Sequence, residues 1–465
     1  MKRNRVEPFN LIPREGIMGT AEVHEKAKNL ESGNTTKKGL FEDEFLTADS
    51  LIPVRKEAAC RLLKRSLAEV EELIREKKWE DILAVFHAVD DKLPELLNHD
   101  RDVRIREKVA FALGQLKRFD EAIVELNQCI LKEPNNFYHH NSMAYTAYNS
   151  LYAASNREIF LSGKGRRDRI ELAHKHFNNA QALRPERVTN YYRQAMLYKK
   201  IENKAEKAIP LFRKAILNWD KLTEDEKQIR HQERKNFIKS LYQHASVLLD
   251  RGRVQDSLTE IKRCLAEDEQ TNHVSLVFKY FALGKVNYHL NRFEEARDAL
   301  LFAAQCKTGN SIDFVYELLA RTYLAMGKAG RALKTIDNVP EKWRRPYYRW
   351  TEADALCALG NYDAARQVLI SCQERDNRSR HKAMIRLAKI EYLLQNFQQA
   401  ADYAAAADKF ATEKWGNHLA DGLFWQALSV LRLGDAARAR MLADELGENS
   451  PNYPELERLR AVIGD

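Results

Sequence analysis

The sequence predicts an all-α chain, one right-handed α-solenoid of about ten helical hairpins with a disordered N-terminal arm. Three observations carry that expectation. The 465 residues include only 18 Gly and 11 Pro, while 44% are hydrophobic and 31% charged, a balance that supports a buried core and favours helix. Small residues return in paired slots. The first slot reads Val70, Ala110, Ala144, Ala195, Ala245, Gly284, Ala320, Ala353, Ala388 and Ala427; the second reads Ile82, Ala122, Ala173, Ala208, Ser257, Ala296, Ala332, Ala365, Ala400 and Ala439. Eight of these ten pairs are 12 residues apart. Finally, turn-forming residues sit at matching places: Gly252, Gly327, Gly360 and Gly434 between the slots, and Pro94, Pro134, Pro185 and Pro451 after the second.

Each element follows from packing. Two antiparallel helices joined by a short turn approach closely only where small side chains face each other. The second helix places a small, a large apolar and a compact residue at i, i+4 and i+7, as in Ala122/Leu126/Cys129, Ala173/Phe177/Ala180 and Ala296/Leu300/Ala303, which is one helix face. That compact third slot continues through Val89, Ala215, Cys264, Val339, Cys372, Ala407 and Leu446. An aromatic opens the second helix at Trp79, Phe119, Phe293, Tyr362 and Phe397.

Along the chain, residues 1–50 read as the disordered arm, with two apolar islands, Pro8-Phe9-Asn10-Leu11-Ile12-Pro13 and Leu40-Phe41-Glu42-Asp43-Glu44-Phe45-Leu46, that either dock or stay loose. Residues 51–101 form an atypical capping hairpin, because Val70 and Ile82 replace the small residues. The array proper runs over 102–452, and 453–465 forms a C-terminal cap. Two stretches break the period: Asn156 to Arg169, and about Asn218 to Arg234, where Thr223-Glu224-Asp225-Glu226 signals a helix start. Such inserts are either binding loops or merely a longer helix pair. Pro210 is compatible with its helix only near the first turn.

At this point the chain resembles the tetratricopeptide repeat superfamily. The clearest copies run from Val109-Ala110 through Phe119-Asp120-Glu121-Ala122-Ile123 to Pro134, and from Leu283-Gly284 through Phe293-Glu294-Glu295-Ala296 to Ala303. No specific member is singled out. The resemblance implies a concave groove lined by the first helix of each hairpin. Groove positions are then Tyr138, Asn141, Tyr145 and Tyr148; Tyr192 and Lys199; Lys239 and Tyr242; Phe278, Phe281, Lys285 and Tyr288; Phe314 and Arg321; Tyr347 and Trp350; and Lys389 and Tyr392. Aromatic and basic residues alternate there, and each ring either faces a ligand or packs between hairpins. The carboxylate clamp of some family members is incomplete: Asn141 and Lys285 are suitable residues in distant hairpins.

Formal net charge is +9. Residues 156–250 contain 21 Lys+Arg against 12 Asp+Glu, so the basic excess is confined to them. The stretch Lys164, Arg166, Arg167 and Arg169 is its centre, and it is either a solvated face or an anion-binding patch.

Catalytic and metal constellations are not found. Ser162-Gly163-Lys164-Gly165 lacks the P-loop spacing. His174/His176 and His139/His140 are too close in sequence to share a helix face. The six cysteines form no C-x-x-C pair and read as reduced; Cys129, Cys264 and Cys372 read as compact core residues. No apolar run approaches a membrane span, and no apolar region follows Met1-Lys2-Arg3-Asn4-Arg5, so the expected location is cytoplasmic. The functional expectation is a non-catalytic scaffold or adaptor without cofactor or metal. It would hold a protein or peptide, an acidic one being well matched, in the groove within a larger assembly. The alternative is RNA or single-stranded nucleic acid on the basic region 156–250.

Overall fold

The computed structural model describes residues 48–306, 311–376 and 378–464. The expected arm and both of its apolar islands lie outside these residues, apart from the start of the first helix at Ala48. Among the described residues there is no β-strand. They divide into two compact units, one ending at Val247 and the other beginning at Leu248.

The first unit contains four hairpins: Ala48–Glu76 with Trp79–Phe86, Val103–Gln115 with Phe119–Lys132, Phe137–Ser155 with Gly163–Leu183, and Val188–Met196 with Ala205–Asp220. The division falls within the helix His231–Asp250, which Val254–Glu267 follows. The second unit continues with Leu276–His289 and Phe293–Gln305, Asp313–Ala325 and Ala329–Ile336, Pro346–Ala358 and Tyr362–Arg375, Arg380–Leu393 and Phe397–Trp415, then Ala420–Arg432 and Ala436–Asn449. A last helix, Leu456–Ile463, buries Leu456, Leu459 and Ile463 in the core of the final hairpin.

The sequence periodicity is the packing. All residues of the three slots are buried. Gly284 shows why the slots are small: a Cβ there would lie 2.6 Å from Leu300 Cγ and 3.3 Å from the Ala296 carbonyl oxygen. The aromatics Trp79, Phe119, Phe293, Tyr362 and Phe397 each begin a second helix. Burial pushes the Cys264 thiol up to about 12 and raises those of Cys129 and Cys372, as expected for compact core residues.

Every hairpin turn holds one left-handed residue, with φ between 56° and 91°. Four are the glycines named above; the others are Lys77, Lys117, Arg157, Asn203, Asn291 and Gln395. After nine of the ten, the next N–H donates to the carbonyl five residues back, as Arg118 does to Leu113 at 2.9 Å and Asn396 to Glu391 at 2.8 Å, closing the helix end. The tenth differs by one: Lys204 donates to Tyr198, six back, at 2.8 Å. The cause is a π-helical turn over Leu197–Ile201. It absorbs the extra residue between Ala195 and Ala208.

One sequence expectation needs adjustment, and the two inserts resolve into helices. Pro210 is not in the first turn but sixth in the helix Ala205–Asp220. It is exposed, as is Glu206 one turn before it. The insert after Asn156 is mostly helix: Gly163–Leu183 starts there, capped by Ser162, whose hydroxyl accepts from the Gly165 N–H at 3.0 Å. The second insert contains the expected helix, Glu224–Ile229, with a complete capping box between Thr223 and Glu226.

Candidate partner-binding site

In the second unit, the first helices of successive hairpins pack on one another: Asp313–Ala325 on Pro346–Ala358, that on Arg380–Leu393, and that on Ala420–Arg432. Groove positions project from this layer. A cleft of about 440 Å³ opens on it, lined by Glu317, Arg321, Tyr347, Trp350, Thr351, Asp354, Lys382 and Arg386. It unites Arg321, Tyr347 and Trp350 from three hairpin positions expected in the groove. Glu317, Asp354, Lys382 and Arg386 escaped the sequence reading, although three of them stand one helical turn from recognised positions, 317 beside 321, 354 beside 350 and 386 beside 389, and 382 stands two turns from 389.

The cleft is held rigid by its own polar contacts. Thr351 Oγ1 donates to Glu317 Oε1 at 2.8 Å. Burial pushes the Glu317 carboxyl up, and Arg321, 3.8 Å away, offsets this only in part. A carboxyl with a raised pKa in a cleft marks a candidate binding site. Arg386 makes a forked contact with Asp354, at 2.9 to 3.1 Å. Lys382 and Arg386 lie 5.1 and 5.6 Å from the Trp350 ring centre. The Tyr347 hydroxyl donates to Asp313 Oδ2 at 2.7 Å, and burial followed by that contact raises its pKa.

A ring covered by a cation from the following hairpin recurs. The Arg321 guanidinium lies 5.0 Å from the Tyr288 ring, and that of Arg193 lies 3.7 Å from the Tyr145 ring while reaching Asn141 Oδ1 at 3.5 Å. Arg432 Nε donates to the Tyr392 hydroxyl at 3.2 Å. Much of the alternation of aromatic and basic residues is thus satisfied within the chain.

Several expected groove residues are placed elsewhere. Tyr242 is buried, with 8% of its surface exposed. Phe281 meets Phe314 edge-on at 4.7 Å, and Phe278 stacks on Phe314, so these three rings pack between hairpins. Tyr148 and Tyr192 pack on the core around Ala195 and Phe212. Lys199 donates to Gln243 Oε1 at 2.8 Å and Ser246 Oγ at 3.0 Å; Lys239 is half-buried. Lys285 lies 3.5 Å from Asp250. Tyr138 lies near the loop edge beside Arg184, from a second helix. Lys389 is exposed on the helix that carries Lys382.

The basic stretch is divided. Arg166 donates to the Ile201 carbonyl at 3.0 Å and Arg169 pairs with Asp120, whereas Lys164 and Arg167 are exposed. The histidines also have partners: His174 bonds Glu202 at 2.6 Å, His139 bonds Glu107 and Glu133, and His140 Nδ1 meets His176 Nδ1 at 2.8 Å. Among the described residues no cluster has metal-site geometry, and no helix is long and apolar enough to cross a membrane.

Residues 350–414, which include Trp350, Asp354, Lys382 and Arg386 of the cleft, match the family model described as tetratricopeptide repeat. Over this segment the chain is similar to the tetratricopeptide repeat family. No curated protein matches it. Among solved structures it is similar to a tetratricopeptide repeat protein from Parabacteroides merdae, at 13% identity over 63% of this chain and 99% of that one, with a TM-score of 0.42. It is also similar to yeast Tom70, at 13% identity over 86% and 94% of the two chains and a TM-score of 0.38. A third is the APC/C hetero-tetramer Cut9–Hcn1, at 11% identity over 90% and 89%, with a TM-score of 0.41. No partner passes from these proteins to this chain.

Proposed function

We propose that this protein is a non-catalytic cytoplasmic scaffold. It holds a partner polypeptide on the first-helix face, within a larger protein assembly, and the cleft around Trp350 is its anchor point. The observation that carries this reading is the convergence of Arg321, Trp350, Lys382 and Arg386 on one cleft from three successive hairpins. Trp350 supplies rigid contact area, and Lys382 and Arg321 supply charge for an acidic side chain of the partner. Thr351–Glu317 and Arg386–Asp354 fix the walls before binding, which reduces the ordering cost of association.

The test is affinity purification from the native source, with partners quantified by mass spectrometry, for wild type and for Trp350→Ala combined with Lys382→Ala. Circular dichroism verifies that the variant remains folded. The scaffold reading expects one or more partners to fall at least about tenfold, the loss of a single interface hot spot. Recovery of the same partners in the same yield refutes the cleft as the anchor.

A further inference from the structure

The cleft around Trp350 contains two carboxylates, Glu317 and Asp354, in different surroundings. Asp354 accepts three bonds from the Arg386 guanidinium, at 2.9, 3.1 and 3.0 Å, so its charge is matched across the cleft. Glu317 has no such counter-ion. Its side chain is 12% exposed, and among the described residues no cation reaches it at hydrogen-bonding distance. The nearest, Arg321 Nε, stops at 3.8 Å, and its guanidinium lies 5.0 Å from the Tyr288 ring. The hydrogen bond that Glu317 does make is with a neutral group, the Thr351 hydroxyl, at 2.8 Å.

That hydroxyl serves either protonation state, because it has a second acceptor, the Tyr347 carbonyl at 3.3 Å. Ionised Glu317 accepts from Thr351. Protonated Glu317 donates its own O–H to Thr351 Oγ1, and the hydroxyl hydrogen turns to the Tyr347 carbonyl. The carboxyl keeps its place and its hydrogen bond in both forms. Charged and titratable groups face it from three helices: Arg321 on its own, Tyr347 and Asp354 on Pro346–Ala358, and Lys382 and Arg386 on Arg380–Leu393. Burial favours its neutral form and Asp354 adds to that, while Arg321, the Thr351 contact and Arg386 offset it in part. From Leu276–His289, His289 is within electrostatic reach of Arg321; burial, then Lys285 and Arg321, lowers its pKa.

An incoming carboxylate seated against Arg321 competes with Glu317 for one guanidinium and adds a second negative charge beside it. Like charges sharing a site favour protonation of one of them, and Glu317, buried and already bonded to a group that suits the neutral acid, is the one to take the proton. We propose that an acidic partner is captured in this cleft with uptake of one proton from solvent, held on Glu317. Ionised, Glu317 screens Arg321; protonated, it leaves that guanidinium to the partner's carboxylate. This proposal rests on the cleft being the anchor for an acidic partner, and it makes capture tighten as pH falls.

The experiment is fluorescence anisotropy of a rhodamine-labelled deca-aspartate with the full chain in low salt, from about pH 8 down to about pH 5.5, where an unperturbed aspartate stays ionised. Wild-type affinity is expected to rise as pH falls. Glu317→Gln keeps the shape and the Thr351 contact without the charge. It is expected to bind about fivefold tighter than wild type at the alkaline end, the effect of removing one charge about 4 Å away across water, and to lose most of the pH dependence. Isothermal titration in buffers of different ionisation enthalpy is expected to count up to one proton taken up by the wild type and fewer by Glu317→Gln. His289→Gln is expected to keep the wild-type pH dependence, and circular dichroism confirms that each variant is folded. If Trp350→Ala with Lys382→Ala loses the probe while Glu317→Gln matches wild type in affinity and in pH dependence, the anchor stands and proton-linked capture is overturned. It is equally overturned if the pH dependence disappears with His289. A probe that fails to bind at any of these pH values, or that binds Trp350→Ala with Lys382→Ala as well as wild type, overturns the anchor and the proposal together.

Discussion

Replacing Gly284 by alanine tests the packing logic of the whole array. The added methyl would sit 2.6 Å from Leu300 Cγ and 2.9 Å from Leu300 Cδ2, well inside van der Waals contact. Leu300 cannot swing aside, because it is completely buried among Ala303, Val315 and Leu319. Overpacking of this kind costs about 1–3 kcal/mol, and the better helix propensity of alanine returns about 1 kcal/mol. The net expectation is a loss of up to about 2 kcal/mol. Gly114 is the control: it too lies in a helix, but nothing stands within 4 Å of its virtual Cβ, so Gly114→Ala is expected to stabilise by up to about 1 kcal/mol. Repeat arrays unfold regionally, so the assay is hydrogen exchange read on the helices Leu276–His289 and Phe293–Gln305, with urea melts alongside. Opposite signs for the two variants are expected. A Gly284→Ala protein as protected as wild type would refute the claim that backbone proximity sets the small slots.

Two further outcomes follow from the same geometry. Gln395 is exposed and holds φ at 65°, so Gln395→Gly is expected to raise stability by about 1 kcal/mol in urea melts, and a loss would contradict the turn assignment. Burial, followed by the neighbouring His140 and Lys175, pushes His176 down to about 4. An unfolded histidine titrates near 6.5, so the unfolded chain binds more protons between these values, and stability should fall by up to about 3 kcal/mol as pH drops through that window. The raised pKa of His139, from Glu107 and Glu133 against burial, acts in the opposite sense, contributing below about 6.5 and fading as pH rises above it. His176→Gln keeps a donor toward His140 without titrating, so its urea melts at pH 7 and pH 5 should differ less than those of wild type; an equal difference would exclude His176 as the source.

The repeat was legible because its determinants are local and obligatory. Where two backbones nearly touch a small residue is needed, and nine of the ten hairpins place Gly, Ala or Ser in both paired slots. The left-handed turns at Lys77, Lys117, Arg157 and Gln395 were not legible. Their strain of about 1–2 kcal/mol is outweighed by the tertiary contacts that place the helices, and nothing in the side chain records it. The extra residue before Ala208 was visible as a count, but the π turn that houses it was not. The candidate site was legible by residue type and less so by role. Whether an aromatic is covered depends on what faces it from the next hairpin: Tyr145 meets Arg193 and Tyr288 meets Arg321, pairings separated by tens of residues. The insert after Asn156 read as either a binding loop or a longer helix pair, and Ser162, capping Gly163–Leu183, makes it the latter.

The π turn at Leu197–Ile201 has a consequence for how such chains lengthen. One additional residue in an α-helix rotates everything after it by about 100°, which would swing the apolar stripe of Ala205–Asp220 off its seat. A single widened turn takes up the surplus where it arises, and Ala208 and Phe212 stay wholly buried. Insertions of one amino acid are therefore tolerable inside a helix of this protein without a compensating deletion, and removing one residue between positions 197 and 201 should restore an unbroken α-helix with the same neighbours.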